Sequence, residues 1–558
     1  MDARARELIA QGDSMFAKRS GLVSLWQTIA ENFNPIRADF TARPALGHEF
    51  ASHLMSGRPV LARRDLGDQL SSMLRPRGTV WFHARTMDER INADVEARAF
   101  LDRIAEVMWR LMYDSRAGFI RATKQGDHDY VTFGQAVFTV ERNRMLDGAL
   151  YRNWHLRDVA WAEDEELKIN LIHHNWNREA RNLAKMFPDK VHGSVRTAAE
   201  KEPFKEIRCR QIVIPEDEYD LSVAKKGRHD RMPFCSILID VDNQTILEEV
   251  PAPRMWYVIP RWQTVSGSPY AHSPATVAAL ADARMLQAMT LTILEAGQKR
   301  VDPPLKATKE AVIGSVNQYA GSITWVDAEY DERLGPAIEP LIRDVGDLNW
   351  GDRREDKIER LIQEAFYLNV INLPQASGAE KMTAFETSER VKEYIRRALP
   401  LFEPIEVEYN AGLCELTFEV GNALGVFGAF DEMPDVLRGQ KIVWQFDSPL
   451  QSAVERVKSE QFAQSAALLA QAARIDPMVS HDFDIGAAFR EALGGVAPAR
   501  WIRPEKDAAA SRSEAQQAQQ VAAAAQAVAT GADVATRVGE AVQTAGDAAQ
   551  AVNAARAG

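Results

Sequence analysis

Three short groups hold the side chains that metal-dependent cleavage of a phosphodiester would use: Asp127-His128-Asp129, His173-His174 and His481-Asp482-Phe483-Asp484. Ligands to one metal must converge from several segments, and neighbours on a strand or helix point in different directions. Each group therefore reads as exposed polar side chains or as a helix cap before it reads as a metal site, and Asp482 to Asp484 would serve to start a helix. A nucleotide-driven motor needs G-x-x-x-x-G-K-[ST] after a strand, and a serine hydrolase needs G-x-S-x-G; the chain has neither. The nearest glycine-lysine group, Lys225-Lys226-Gly227-Arg228, reads as a solvated hairpin turn. No catalytic residue, metal ligand or cofactor is assigned on these grounds, and a metal-dependent nuclease remains the alternative to a non-enzymatic role.

Two further stretches carry polar chemistry without a reaction. From Arg343 to Arg360 both signs of charge are dense, including Asp352, Arg353, Arg354, Asp356 and Arg360. That pattern fits an exposed helix with i,i+4 pairs such as Asp356 with Arg360. It fits equally a seam in which alternating charges set the register of neighbouring copies. The stretch from Leu368 to Lys381 is longer than an ordinary connector and presents Asn369, Asn372, Gln375 and Ser377 with the single base Lys381. Neutral donors and acceptors can touch a phosphate backbone without gripping it.

The elements that must position these residues follow from composition and pattern. The chain has 558 residues, 46% hydrophobic and 26% charged, enough for several modules with real cores. Lys+Arg 67 against Asp+Glu 79 leaves −12, which excludes gripping nucleic acid by overall charge. Three scattered cysteines, Cys209, Cys235 and Cys414, predict buried thiols and a reducing compartment rather than a disulfide framework. The charged start and the lack of about 18 consecutive apolar residues predict neither a signal peptide nor a membrane span, hence a soluble intracellular product.

Helical spacing is expected over 3–34, ended by Pro35, and over 60–74, with a strand at Thr79 to Phe82. Helices over 95–113 and 119–131 lead into residues 133–265, whose short apolar runs predict a small antiparallel sheet or barrel with an inserted helix near 187–201. A long helix follows Ser273-Pro274 and ends at Val301-Asp302-Pro303-Pro304. A compact, mostly β excursion over 305–340 precedes a helix over 341–367. A further helix over 383–422 should kink at Pro400 or Pro404, and Gly439 to Phe446 reads as a strand closing the β region. A helix is also expected over 453–473. Of residues 507–558, 21 of 52 are alanine and none is aromatic, so this segment cannot build a core alone. It is either a mobile tail or a helix that orders against copies of itself.

The order of these parts resembles the portal, or head-to-tail connector, proteins of short-tailed bacteriophages. The stretches that carry the resemblance are Leu74-Arg75-Pro76-Arg77-Gly78-Thr79-Val80-Trp81-Phe82, Asp129 to Ala136, and Ser268-Pro269-Tyr270-Ala271-His272-Ser273-Pro274. Val301 to Pro304, Met382-Thr383-Ala384, and Phe446-Asp447-Ser448-Pro449-Leu450 with Arg456 complete the set. The resemblance spans about residues 5 to 505.

It implies an α+β portal fold: a mixed wing with a small β-barrel over 1–274, stem helices over 275–299 and 341–367, and a β-rich clip over 300–340. A tunnel loop over 368–382, a returning wing segment over 383–448, a helical crown over 449–506 and the tail over 507–558 follow. It further implies a ring of twelve copies at one capsid vertex, through which double-stranded DNA is packaged, retained and ejected, with another ring component of the tail as the alternative beside the nuclease. Partners by resemblance are the terminase large subunit and then a tail adaptor at the clip, the capsid and scaffolding proteins, and internal core proteins at the crown; no membrane is involved. Clip contacts are expected at Lys306, Lys309, Glu310, Asp327 and Glu329. Asn369, Asn372, Gln375, Ser377 and Lys381 would face DNA. Twelve chains at −12 each carry a formal −144, which would keep DNA from sticking to the wall. Lys381 is the only base of the tunnel loop, so a lysine-ring clamp is weakly supported and Lys381→Ala should leave assembly intact.

Overall fold

The computed structural model describes residues 2–371 and 404–446, apart from parts of 43–51, residues 220–231, 310, 318–320, 332, 334, 342–347 and 429–432, and it describes scattered positions between 462 and 517. Two compact units are present, Met1–Gln451 and Ser452–Gly558.

In the first unit, the opening amphipathic stretch is two helices rather than one, α1 (Ala3–Lys18) and α2 (Ser20–Phe33). The break falls at Arg19, whose buried guanidinium donates to the carbonyls of Leu156 and Val159 at 2.8 and 2.7 Å. Helix α3 (Arg58–Leu74) starts on Pro59, where a missing N–H costs nothing. The strand expected at Thr79 to Phe82 begins where that reading ends. In β1 (Phe82–Thr86) burial alternates along Phe82, Ala84 and Thr86, while Trp81 fills the core just before it.

Helices α4 (Glu89–Ala93), α5 (Val95–Met112) and α6 (Phe119–Phe133) follow. Gly134 ends α6 at φ +78°, and a Cβ there would lie 2.5 Å from the His272 carbonyl carbon, so only glycine fits.

The β region holds β2 (Val137–Arg142), β3 (Ala149–Trp154), β4 (Val159–Glu163), β5 (Ile169–Glu179), β6 (Glu206–Pro215), β7 (Phe234–Asp240) and β8 (Thr245–Ala252). Strands β4 to β8 form one antiparallel meander in chain order. The expected barrel is instead an open sheet among the described residues, because its two faces are covered by helices and it has no need to close. Helix α1 packs on one face over Ile212, Ile214, Ile237 and Ile239. On the other, α7 (Ala180–Met186) and α8 (Gly193–Lys201), the insertion foreseen near 187–201, cover Ile207, Cys209, Leu238 and Leu247. A short helix, α9 (Glu216–Tyr219), follows β6. Strands β3, β2 and β9 (Tyr257–Val258) make a second, three-stranded sheet.

Strands β10 (Gln263–Val265) and β11 (Ser268–His272) form a hairpin that delivers the chain to a π turn, Ala275–Ala279, and then α10 (Leu280–Val301). The excursion is two ladders of two strands each: β12 (Leu305–Ala307) with β15 (Ile338–Pro340), and β13 (Val312–Ile313) with β14 (Trp325–Val326). Helix α11 (Leu348–Ala365) returns beside α10, and α12 (Leu368–Ile371) is one turn. After Pro404 a second π turn, Ile405–Asn410, opens α13 (Ala411–Leu424). Strand β16 (Ile442–Phe446) does not close the β region; it pairs antiparallel with β1, Phe82 opposite Phe446, so the chain returns to its N-terminal helices. Trp81 stacks on Phe446 and Phe82 meets Trp444 edge-on there, and these contacts outweigh the sequence distance. The three cysteines are free and buried.

In the second unit, Phe462 and Phe489 are in ring contact at 5.7 Å. The expected helix over 453–473 is described only in part, and the alanine-rich tail lies almost wholly outside the described residues.

Candidate functional site

The metal-binding groups resolve into structural chemistry. Asp127 and Asp129 leave α6 into the core, where Asp127 accepts from Arg75 and from the Tyr409 hydroxyl at 2.8 Å. Asp129 accepts from Arg37 Nε at 2.9 Å and Nη2 at 2.5 Å. His128, between them, meets Arg63 at 3.0 Å. His173 and His174 are buried on opposite faces of β5, the first against Gln11 at 3.3 Å and the second bonded to the Tyr257 hydroxyl at 2.9 Å. Burial, with the Arg210 charge adding to it, pushes His173 down to about 3, and burial pushes His174 down to about 4. Among the described residues no three His, Cys, Asp or Glu groups converge to hold a metal. His481 to Asp484 lie outside the described residues.

The arrangement that demands an explanation is the pair α10–α11. Ala275–Val301 is the one helix among the described residues long and apolar enough to cross a membrane by length and composition, where no such run was expected. Only 17% of its most apolar window is buried. The buried side is Ala283 and Leu286, while Val277 (62% exposed), Met285, Leu291 and Leu294 (52%) face outward. Helix α11 packs beside it. Gly351 lets the backbone approach, since a Cβ there would sit 3.1 Å from Ile293 Cδ1, and Thr290 donates to Glu355 at 2.6 Å. A groove of about 320 Å³ runs along the seam, lined chiefly by Met285, Met289, Ile293 and Trp350.

Ile358, Ile362 and Phe366, one turn apart, anchor α11 to the core through Phe33. The five charges expected to face a neighbouring copy, Asp352, Arg353, Arg354, Asp356 and Arg360, are all exposed.

Between the two helices the ladders expose Ile313, Ile323 and Trp325 (69% exposed) on segments too short to build a core. Of the residues expected to make contacts there, Lys306 pairs with Glu339 at 3.4 Å. Asp327 caps its own turn by accepting from Glu329 N at 3.0 Å. Lys309 and Glu329 are exposed, and Glu310 lies outside the described residues. Asn369 is exposed on α12; Asn372, Gln375, Ser377 and Lys381 lie outside the described residues. Sequence reading missed the outward apolar residues of α10 because periodicity marks a helix's apolar stripe without saying whether the chain itself covers it.

A family model described as "Bacteriophage head to tail connecting protein" matches residues 5–497. The "Probable portal protein" of Bordetella phage BPP-1 is 22% identical over 491 residues, covering 86% of this chain and 84% of the relative. The "Portal protein" of Salmonella phage epsilon15 is 22% identical over 299 residues, 51% of each chain. Among solved structures, a chain of the virion of a native gene transfer agent particle aligns at TM-score 0.35 and 10% identity, over 79% of this chain and 95% of that one. A chain from the neck of an empty particle of that agent aligns at 0.33 and 11%, over 77% and 94%.

Proposed function

The chain belongs to the bacteriophage head to tail connecting protein family, and we propose that it acts as the portal of a phage particle by closing into a ring around DNA. Its role is structural: it is a connector and not an enzyme. The single observation that carries the ring is α10, apolar in composition yet mostly uncovered by its own chain. Two covers fit such a helix, lipid or protein. Lipid is disfavoured, because Arg284 and Glu295 are also exposed on it and each would cost several kcal/mol at the centre of a bilayer. A neighbouring copy fits: α10 of one chain lies against the α10–α11 seam of the next, with the exposed charges of α11 setting register.

In this reading twelve copies surround the DNA, and the net −12 of each chain keeps the duplex from adhering to the wall. Asn369, Asn372, Gln375, Ser377 and Lys381 touch the backbone at the narrowest point. The ladders with exposed Ile323 and Trp325 are the end at which the terminase large subunit docks during packaging and a tail adaptor afterwards. Lys306, Lys309, Glu310, Asp327 and Glu329 ring that contact. The wing side meets capsid and scaffolding proteins, and the crown meets internal core proteins.

The experiment is sedimentation of detergent-free protein with and without phospholipid vesicles. A single large species that leaves the vesicles alone is expected; a small species that floats with them would refute the reading.

A further inference from the structure

Several buried and half-buried arginines among the described residues meet carboxylates. Arg37 meets Asp129, Arg75 meets Asp127, Arg210 meets Asp13, and Arg261 meets Glu163 and Glu408. Arg152 on β3 and Arg178 on β5 depart from this. Arg178 stands over the Trp176 ring at 3.8 Å, and Arg152 lies 5.8 and 5.6 Å from the rings of Trp154 and Trp176. The two indoles are 5.1 Å apart, so indoles and guanidiniums form one ladder where the two sheets meet. The Nε of Arg178 is buried without a partner, and its Nη1 reaches only the Met186 sulfur at 3.1 Å. Glu141 and Glu248 act on Arg178 from a distance without bonding it. Stacked guanidiniums keep their in-plane donors directed outward, and donors left unmet in a half-buried place are costly.

The complement sits at the other end of the same strand. In the turn between β4 and β5, Asp164 accepts from Glu166 N and Lys168 N, both at 2.9 Å. The turn holds Leu167 at φ +61° and leaves it 68% exposed. Glu165 beside it is exposed and makes no hydrogen bond or ion pair, and Glu166 pairs only with the exposed Lys168. At roughly 3.3 Å per residue, the eleven steps from Leu167 to Arg178 span about 36 Å, too far for the turn to reach its own ladder. A heterologous interface, the kind that closes rings, joins unlike patches of this sort from successive copies.

We propose that the leucine-tipped acidic turn of one copy docks on the Arg152–Trp154–Trp176–Arg178 ladder of the next. Leu167 lies on the indoles and Met186, and Glu165 and Glu166 meet the two guanidiniums. This rests on the ring reading above and adds a contact independent of α10. A nucleic acid is the weaker occupant, since two cations near Glu141 and Glu248 on an acidic chain give little hold on a phosphate backbone.

The test joins Glu165→Cys to Met186→Cys in the full chain. Mild oxidation is expected to give a ladder of covalent multimers. Separately, Arg152→Glu with Arg178→Glu should lower the ring fraction about tenfold at fixed concentration, and adding Glu165→Arg with Glu166→Arg should restore it. Arg152→Gln with Arg178→Gln, a milder pair, should lower it in the same direction. If the unmodified chain forms rings but the double-cysteine chain does not cross-link and the charge variants leave the ring fraction unchanged, the contact is wrong and the ring reading stands. If the unmodified chain forms no ring, both fail. Arginine-dependent binding of a labelled oligothymidine would overturn the contact in favour of a nucleic-acid site.

Discussion

Arg75 and Asp127 are both buried, and Asn410 and Tyr409 are further partners, with Arg75 Nη1 donating to Asn410 at 2.9 Å. Asp127→Ala would leave the guanidinium buried without its counter-ion, so a loss of about 3–5 kcal/mol is expected in chemical denaturation. His173 and His174 make a second prediction. Their folded pKa values are depressed from 6.5 to about 3 and about 4, so the unfolded chain takes up protons first as pH falls. Stability is complete above pH 6.5 and declines from there toward pH 4 and 3, by about 1.4 kcal/mol per pH unit for each histidine. His174→Gln should make that acid limb shallower, and an unchanged limb would refute the assignment. The sequence displayed Asp127 and Asp129 as polar groups in a helical stretch, but their partners stand 52 and 92 residues away. No local spacing could reveal that these carboxylates serve internal ion pairs rather than a metal.

Among elements, those fixed by local rules were legible: α3, α5, α6 and α10 start and stop close to where spacing, glycine and proline put them. Elements fixed by distant partners were not. Strand β1 shifts to Phe82–Thr86 because it must alternate against β16, and the sheet stays open because α1, α7 and α8 cover it. The π turns at 275–279 and 405–410 also escaped, since they depend on what their residues reach, as Glu408 does in accepting from Arg261 N at 2.9 Å.

Element-level predictions concern the α10–α11 seam. Gly351→Val forces a branched side chain against Ile293, already at 3.1 Å for a bare Cβ, and should cost about 1–3 kcal/mol and lower assembly yield. Leu291→Gln with Leu294→Gln removes outward apolar surface only. Thermal stability of the isolated chain should stay within about 0.5 kcal/mol while assembly is lost; a parallel loss of both would mean the face belongs to the chain's own core.

For the whole molecule, the role of connector was legible in the sequence, and the family match over residues 5–497 bears out that role. What composition could not supply is the reason for the assembly. An alternation of apolar residues in α10 looks like core until the fold shows it mostly uncovered. The twelve copies belong to the proposed ring, and its mass tests their number. Native mass spectrometry of the purified chain should give one species at twelve times 62.3 kDa, about 750 kDa. A chain that stays at 62.3 kDa across concentration and salt would contradict the account.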